Sequence, residues 1–167
     1  WFTGDDSLKS RPMRPLLDSL NALGANFVLQ SPNRDVPFYI TGPLRGGMTV
    51  VSGMSSQYVS SILLAAPLAR HDTAIHVENL HEMPYVCMTL WWLDTQRIHY
   101  SASDDLCSFT VRGGQHYSPF DMRIPGDFSS ATFPAVAAAL TGGDISVENI
   151  NFADVQGDKD IFPLLSS

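Results

Sequence analysis

The sequence predicts an α/β (α+β) fold assembled from about two copies of a βαβαββ unit, on two observations. The first is internal repetition: Ile75-His76-Val77-Glu78-Asn79-Leu80 returns as Ile145-Ser146-Val147-Glu148-Asn149-Ile150. The second is a regular alternation between short runs of β-branched residues and longer runs with apolar residues at helical spacing. The repeat's offset also sets Met13, Ser19, Leu20 and Leu23 on Met83, Thr89, Leu90 and Leu93. At a slightly larger offset, Ser52-Gly53 with Ser55-Ser56 matches Pro125-Gly126 with Ser129-Ser130, each pair ahead of an apolar run.

One full unit reads as a strand over 48–52, a helix over 55–68, a strand over 73–78, a helix over 84–94, and strands over 98–101 and 109–112. Ahead of it lies the second half of a preceding copy: a helix over 12–23 with Pro12 at its first position and Gly24 as its stop, then strands over 26–29 and 38–40. Behind it lies the first half of a following copy: a strand over 121–124, a helix over 129–140 ended by Gly142-Gly143, and a strand over 144–148. The first helix of each unit is alanine-rich and apolar nearly all round, which places it inside the structure; the second helix carries more polar positions and covers an outer face. Sheets outside and small-residue helices inside is the expected arrangement.

A chain of 167 residues, 44% of them hydrophobic, can bury a core of ordinary domain size. Seventeen acidic against ten basic residues give a formal charge of −7, which argues against a nucleic-acid or lipid-headgroup surface. An anion would have to be held locally, and Lys9, Arg11 and Arg14 form a small basic cluster that could do so. Cys87 and Cys107 stand far apart without a C-x-x-C pattern, so two free thiols in a reducing cytoplasm are expected. The longest apolar stretch, 62–69, is too short to span a bilayer, and no leader is expected. The abrupt opening on Trp1-Phe2-Thr3-Gly4 reads as the cut edge of a longer chain.

The residues richest in chemistry are Ser55-Ser56-Gln57, two hydroxyls and an amide where a strand turns into a helix. The free N–H groups and positive dipole end of such a helix suit a phosphate or carboxylate, although either serine could simply cap the helix. Arg11, in a polar loop ahead of a helix, could grip an anion with both arms of its guanidinium or sit solvated at the surface. Asp127 is expected to cap the helix that follows it, the alternative being a charged group facing a substrate. The glycine-rich pieces 42–47 and 112–114 fit no phosphate-binding pattern and read as turns. The five histidines show no paired spacing on one helix face, so no metal site is expected, and Trp91-Trp92 reads as packing.

Several motifs occur in order: Thr3-Gly4-Asp5-Asp6-Ser7-Leu8 leading to Arg11-Pro12-Met13, Ser55-Ser56-Gln57-Tyr58, Ala65-Ala66-Pro67-Leu68-Ala69, Pro84-Tyr85 with Met88-Thr89-Leu90, Pro125-Gly126-Asp127-Phe128-Ser129-Ser130, and Gln156-Gly157-Asp158. Together they resemble the 5-enolpyruvylshikimate-3-phosphate synthase family. The resemblance implies the enolpyruvyl transferase inside-out α/β barrel of six βαβαββ units in two domains, with 1–124 belonging to the first and 125–167 beginning the second. It implies transfer of the enolpyruvyl group of phosphoenolpyruvate to the 5-hydroxyl of shikimate 3-phosphate, with no metal or organic cofactor. Arg11 would then contact phosphoenolpyruvate; Ser55, Ser56 and Gln57 would hold shikimate 3-phosphate, Gln57 reaching both substrates; and Tyr85 would line the shikimate side.

Two departures stand out. Where the family has Ser-Lys-Pro-Tyr or similar, this chain reads Glu82-Met83-Pro84-Tyr85, so Glu82 stands in place of a serine expected to bind the 3-phosphate. The family's early lysine, its Asn-Ala-Gly-Thr-type loop and the acid/base residues of its second domain have no counterparts, so a middle fragment, inactive alone and completed by missing parts of the same enzyme, is expected. Two other readings remain open: a non-catalytic anion-binding module, and the sister transferase acting on UDP-N-acetylglucosamine.

Overall fold

The computed structural model describes residues 1–165, and the contacts divide it after Ser118 into two units. In the first unit Asp5 caps a single helical turn, α1 (Asp6–Lys9), its carboxylate accepting the Leu8 N–H at 2.8 Å. The polar loop expected over this stretch therefore contains a turn of helix. Helix α2 (Arg14–Ala22) follows, then the antiparallel hairpin β1 (Asn26–Ser31) and β2 (Arg34–Thr41). The expected start of α2 at Pro12 is corrected, and its first turn contains Pro15 instead. The cause lies across the fold: Asp35 on β2 accepts the N–H groups of Met13 and Arg14, both at 2.8 Å, and so fixes where the helix begins.

The full unit has the expected order: β3 (Gly47–Ser52), α3 (Ser56–Ala65) continued by a 3-10 turn (Ala66–Leu68), β4 (Thr73–Glu78), α4 (Met83–Thr95), β5 (Tyr100–Ala102) and β6 (Ser108–Val111). The strands form one sheet in the order β3-β4-β6-β5, with β3 and β4 parallel and the last two antiparallel to their neighbours. Alternation decides the faces: Val51, Ile75, Val77, Phe109 and Val111 point inward onto α2, α3 and α4, while Met48, Val50 and His76 stay outside. Val59, Ile62 and Leu63 of α3, Ala66 just beyond it, and Val86 and Leu93 of α4 close this core, and each buried Val, Leu or Ile side chain contributes roughly 1.5–3 kcal/mol. Helices thus lie on one side and a sheet face on the other, as the repeat predicts. Among the described residues the two sheets remain separate and close no barrel.

The hairpin β1-β2 repeats the β5-β6 pairing one copy earlier. In the full unit β4 lies antiparallel along β6; in the earlier copy Phe2 holds that place beside β2, exchanging both backbone hydrogen bonds with Phe38 at 2.9 and 3.1 Å.

The second unit holds α5 (Phe128–Thr141), a 3-10 turn (Gly157–Asp160) and α6 (Ile161–Leu165). Asp127 caps α5 by accepting the N–H groups of Ser129 and Ser130, both at 3.1 Å, and Gly142 ends it at φ 64°. Phe128 is buried and meets Phe152 and Phe162 edge to face, with centroids 5.2 and 5.6 Å away. Two expectations are corrected here. Segments 121–124 and 144–148 form no strands, because a strand needs a ladder, and the hydrogen bonds of Gly126 N–H to Asn149 O at 2.6 Å and of Asn149 Nδ2 to Ile124 O at 2.9 Å, at the ends of these stretches, do not make one. Helix α5 is not enclosed either: Phe133 and Leu140 are 78% and 82% exposed, since only the face bearing Phe128 and Ala131 finds neighbours.

The repeat is also written in the backbone. Asn79 and Asn149, equivalent in the two copies, both adopt left-handed φ, 55° and 63°. A Cβ on Gly53 would lie 2.6 Å from Leu80 Cα, and one on Gly126 would lie 3.0 Å from Asn149 O. Gly53→Ala is expected to destabilise the first unit by at least about 2 kcal/mol, read from urea unfolding, because backbone rather than a movable side chain blocks the methyl. Asp127→Ala is expected to cost the second unit about 1 kcal/mol. The Ser130 hydroxyl holds the Asp127 carboxyl below its ordinary value of 3.8, so the cap is complete above that value and fades as pH falls through the lower folded one. Helical circular dichroism followed from pH 6 to pH 2 on wild type and variant checks both.

Candidate functional site

The two crossovers of the full unit, β3 to β4 through α3 and β4 to β5 through α4, bring their helix starts to the same place. The Gly53 N–H donates to Glu78 O at 2.6 Å and the His81 N–H to Gly53 O at 3.3 Å, so the turn before α3 is fastened to the turn before α4. Side by side, the first residues of α3 and α4 line a cleft of about 520 Å³. Ser55 and Glu82, the residues preceding the two helices, make no side-chain cap bond to their own helix. The plain capping role open to Ser55 is therefore not taken up, and neither helix start carries a side-chain cap bond from the residue that precedes it.

Helical spacing builds the walls. Ser56 and Ser60 stand one turn apart on α3, as do Gln57, Ser61 and Leu64, and Glu82, Tyr85, Met88, Thr89 and Trp92 come from α4 and the residue before it. Ser56 is 3% exposed, and its Oγ donates to Glu82 Oε2 at 2.8 Å. Thr89 gives its proton to Tyr85 O at 3.1 Å, so Ser60 is the donor in the 2.6 Å contact between the two hydroxyls. Ser61 Oγ donates to the backbone O of Gln57 at 2.7 Å, and Gln57 itself is exposed. Leu64, Met88 and Trp92 make the other end apolar. Trp91 and Trp92 pack edge to face, centroids 4.9 Å apart.

Arg11 lies next door. It lines a second cleft, of about 590 Å³, with Lys9, Arg34, Asn33, Asp6 and Asp35. Asp35 is already engaged by two backbone N–H groups and by Arg14 Nε at 3.5 Å, and Asp6 faces Lys9 at 4.0 Å. No carboxylate among the described residues comes within ion-pair distance of Arg11, which is exposed. The Tyr58 hydroxyl, one residue beyond Gln57, donates to Pro12 O and ties α3 to the Arg11 segment. Burial, and then the Asp35 carboxylate, push the Tyr58 phenol up, with Arg11 opposing.

Of the residues singled out from sequence, Ser56, Gln57 and Tyr85 share one cleft, Ser55 stands at its edge, half-buried, and Arg11 occupies the adjoining one. Sequence reasoning missed Ser60, Ser61, Thr89 and Arg34. The first two were detectable as i+4 neighbours of Ser56 and Gln57, and Thr89 as the repeat partner of Ser19. Arg34 carries no local signal, because only the hairpin's return brings it to α1. Among the described residues no three His, Cys, Asp or Glu side chains are grouped to hold a metal, and no helix is long and apolar enough to cross a membrane.

The sequence profile of EPSP synthase (3-phosphoshikimate 1-carboxyvinyltransferase) matches residues 1–165. Relatives named 3-phosphoshikimate 1-carboxyvinyltransferase include those of Acetivibrio thermocellus, 46% identical over 98% of this chain, and Ruminiclostridium cellulolyticum, 42% identical over 99%. The chain spans 38% and 39% of their lengths. Among solved structures, EPSP synthase from Acinetobacter baumannii superposes with a TM-score of 0.67 at 28% identity, covering 90% of this chain and 33% of that one. Replacing Asp35 by alanine is expected to cost about 1–2 kcal/mol in urea unfolding by releasing the start of α2, and to leave the Arg11 cleft more positive.

Proposed function

Because the chain belongs to the EPSP synthase family, 3-phosphoshikimate 1-carboxyvinyltransferase, we propose that it supplies part of the substrate site for transfer of the enolpyruvyl group from phosphoenolpyruvate to the 5-hydroxyl of shikimate 3-phosphate. The observation that supports this reading is the meeting of Ser56, Gln57 and Tyr85 in one cleft with the Arg11 cleft fastened beside it through Tyr58 and Pro12. In this reading Ser55, Ser56 and Gln57 hold shikimate 3-phosphate, Tyr85 lines the same side, and Arg11 takes the carboxylate or phosphate of phosphoenolpyruvate. Gln57, exposed and adjacent in sequence to Tyr58, reaches both substrates in this reading.

The chemistry joins two anions through a tetrahedral intermediate that then loses inorganic phosphate. Its main physical demand is to hold like charges together with the 5-hydroxyl aimed at the reacting carbon. The Arg11 guanidinium, without an ion-pair partner among the described residues, and the start of α3, once clear of the Glu82 carboxylate, meet the first part of that demand. No histidine, lysine or carboxylate of this chain is assigned the proton transfers; the remainder of the enzyme supplies them, and the chain by itself is inactive. We place the change from the family's first domain to its second at 124/125, in the stretch without helix or strand that follows the division of contacts after Ser118.

Calorimetric titration of the 167-residue chain with shikimate 3-phosphate tests the proposal. Binding is expected, weakened about tenfold in Gln57→Ala, in line with about 1.5 kcal/mol for a hydrogen bond to a charged group. Arg11→Ala is expected to leave shikimate 3-phosphate binding within about twofold and to abolish any heat with phosphoenolpyruvate. Absence of binding by the wild-type chain overturns the assignment of the cleft. Mixing the chain with segments covering the missing length of a relative is expected to restore turnover.

A further inference from the structure

Among the described residues Glu82 is the one carboxylate lining the cleft between α3 and α4, and it is not idle there. It precedes α4 yet leaves that helix uncapped, reaching instead to the buried Ser56 hydroxyl at the first position of α3, 2.8 Å from its Oε2. A negative charge at the start of a helix that has no cap bond of its own stabilises that helix, so Glu82 serves α3 as Ser55 does not. The same placement puts a resident anion on the hydroxyl that an incoming phosphate would use. Ser56 has a single proton to give, and a carboxylate accepting it leaves the hydroxyl no donor for a ligand.

We propose that Glu82 is an internal competitor for the phosphate end of the cleft: its carboxylate holds Ser56 in the ligand-free chain and must leave that hydroxyl before a phosphorylated ligand can bind there. This rests on the assignment of the cleft to shikimate 3-phosphate. Glu82 is exposed, so its side chain can swing into solvent without breaking the core, whereas Ser56, fixed in a buried helical turn, cannot follow. The cleft therefore exists in two arrangements, one closed on the protein's own carboxylate and one open to an external anion, and the balance between them sets affinity. Displacement also selects by charge: a phosphate dianion drives the carboxylate away from Ser56, while an uncharged polyol of the same size has no such leverage and competes poorly.

The roles of Glu82 in the free and bound states oppose each other, and this makes them separable. Glu82→Gln keeps an oxygen acceptor for Ser56 while removing the charge. Shikimate 3-phosphate is expected to bind this variant about fivefold more tightly than wild type by calorimetry, with unphosphorylated shikimate unchanged; a like charge a few ångströms from the phosphate in a partly solvated cleft accounts for a factor of that size. The melting temperature of the ligand-free variant is expected to fall by about 2 °C, from the loss of charge at the start of α3. Glu82→Ser, which returns a donor to the position, is expected to tighten binding further. A residue with a purely structural role would lower stability and affinity together. Wild type that binds while both variants bind equally or more weakly overturns this inference and leaves the cleft assignment standing; wild type and variants that all fail to bind, each with native circular dichroism, overturn both.

Discussion

The close approach of Gly53 to Asn79 and Leu80 holds this arrangement together. Two parallel crossovers from neighbouring strands would ordinarily bring their helices up side by side with loops free to part. Here the Gly53 N–H and C=O both bond to the second loop, and Leu80 Cα stands where a side chain would be. The absence of one methyl group therefore decides how near the start of α3 comes to the start of α4. Every polar contact of the cleft follows from that spacing, including the bond between Ser56 and Glu82. The second copy keeps half of this device: the Gly126 N–H donates to Asn149 O, while the Gly126 carbonyl accepts from the Gln156 side chain instead.

A chain with a formal charge of −7 holds its cationic character at a few points. Helix dipoles act within about one turn and Coulomb attraction fades over roughly 10 Å in salt, so the total charge counts for little beside what faces a given cleft. Asp35 illustrates this: its charge is absorbed by two N–H groups and Arg14, which leaves Arg11 without a carboxylate partner. Glu82 illustrates the opposite, a charge retained in the cleft where an anion would bind. These two carboxylates set the electrostatic character of neighbouring clefts, and each does so through a contact between residues distant in sequence.

The repeat made most of the fold legible. Once Ile75 to Leu80 was matched to Ile145 to Ile150, the strand over 73–78 and the helices over 55–68 and 84–94 followed from periodicity, because each buries one face in a manner that sequence spacing records. The helix over 12–23 was displaced because its start answers to Asp35, more than twenty residues away, and not to the proline in its own sequence. The strands over 121–124 and 144–148 carried the right residue types but lack a ladder, since pairing is a property of two segments. Part of the candidate cleft was legible too. Ser56, Gln57 and Tyr85 stood out through their motifs, while Arg34 and the contact of Glu82 with Ser56 had no local trace.

The sequence alone determined the unit, the order of elements in its full copy and the candidate residues for an anion site, because these depend on near-neighbour periodicity and on side-chain chemistry. The tertiary structure decided which helix ends share a cleft, which carboxylates are already engaged and which hydroxyl has its proton taken. These are distances between residues brought together by crossovers and a hairpin, and a linear pattern carries no measure of them.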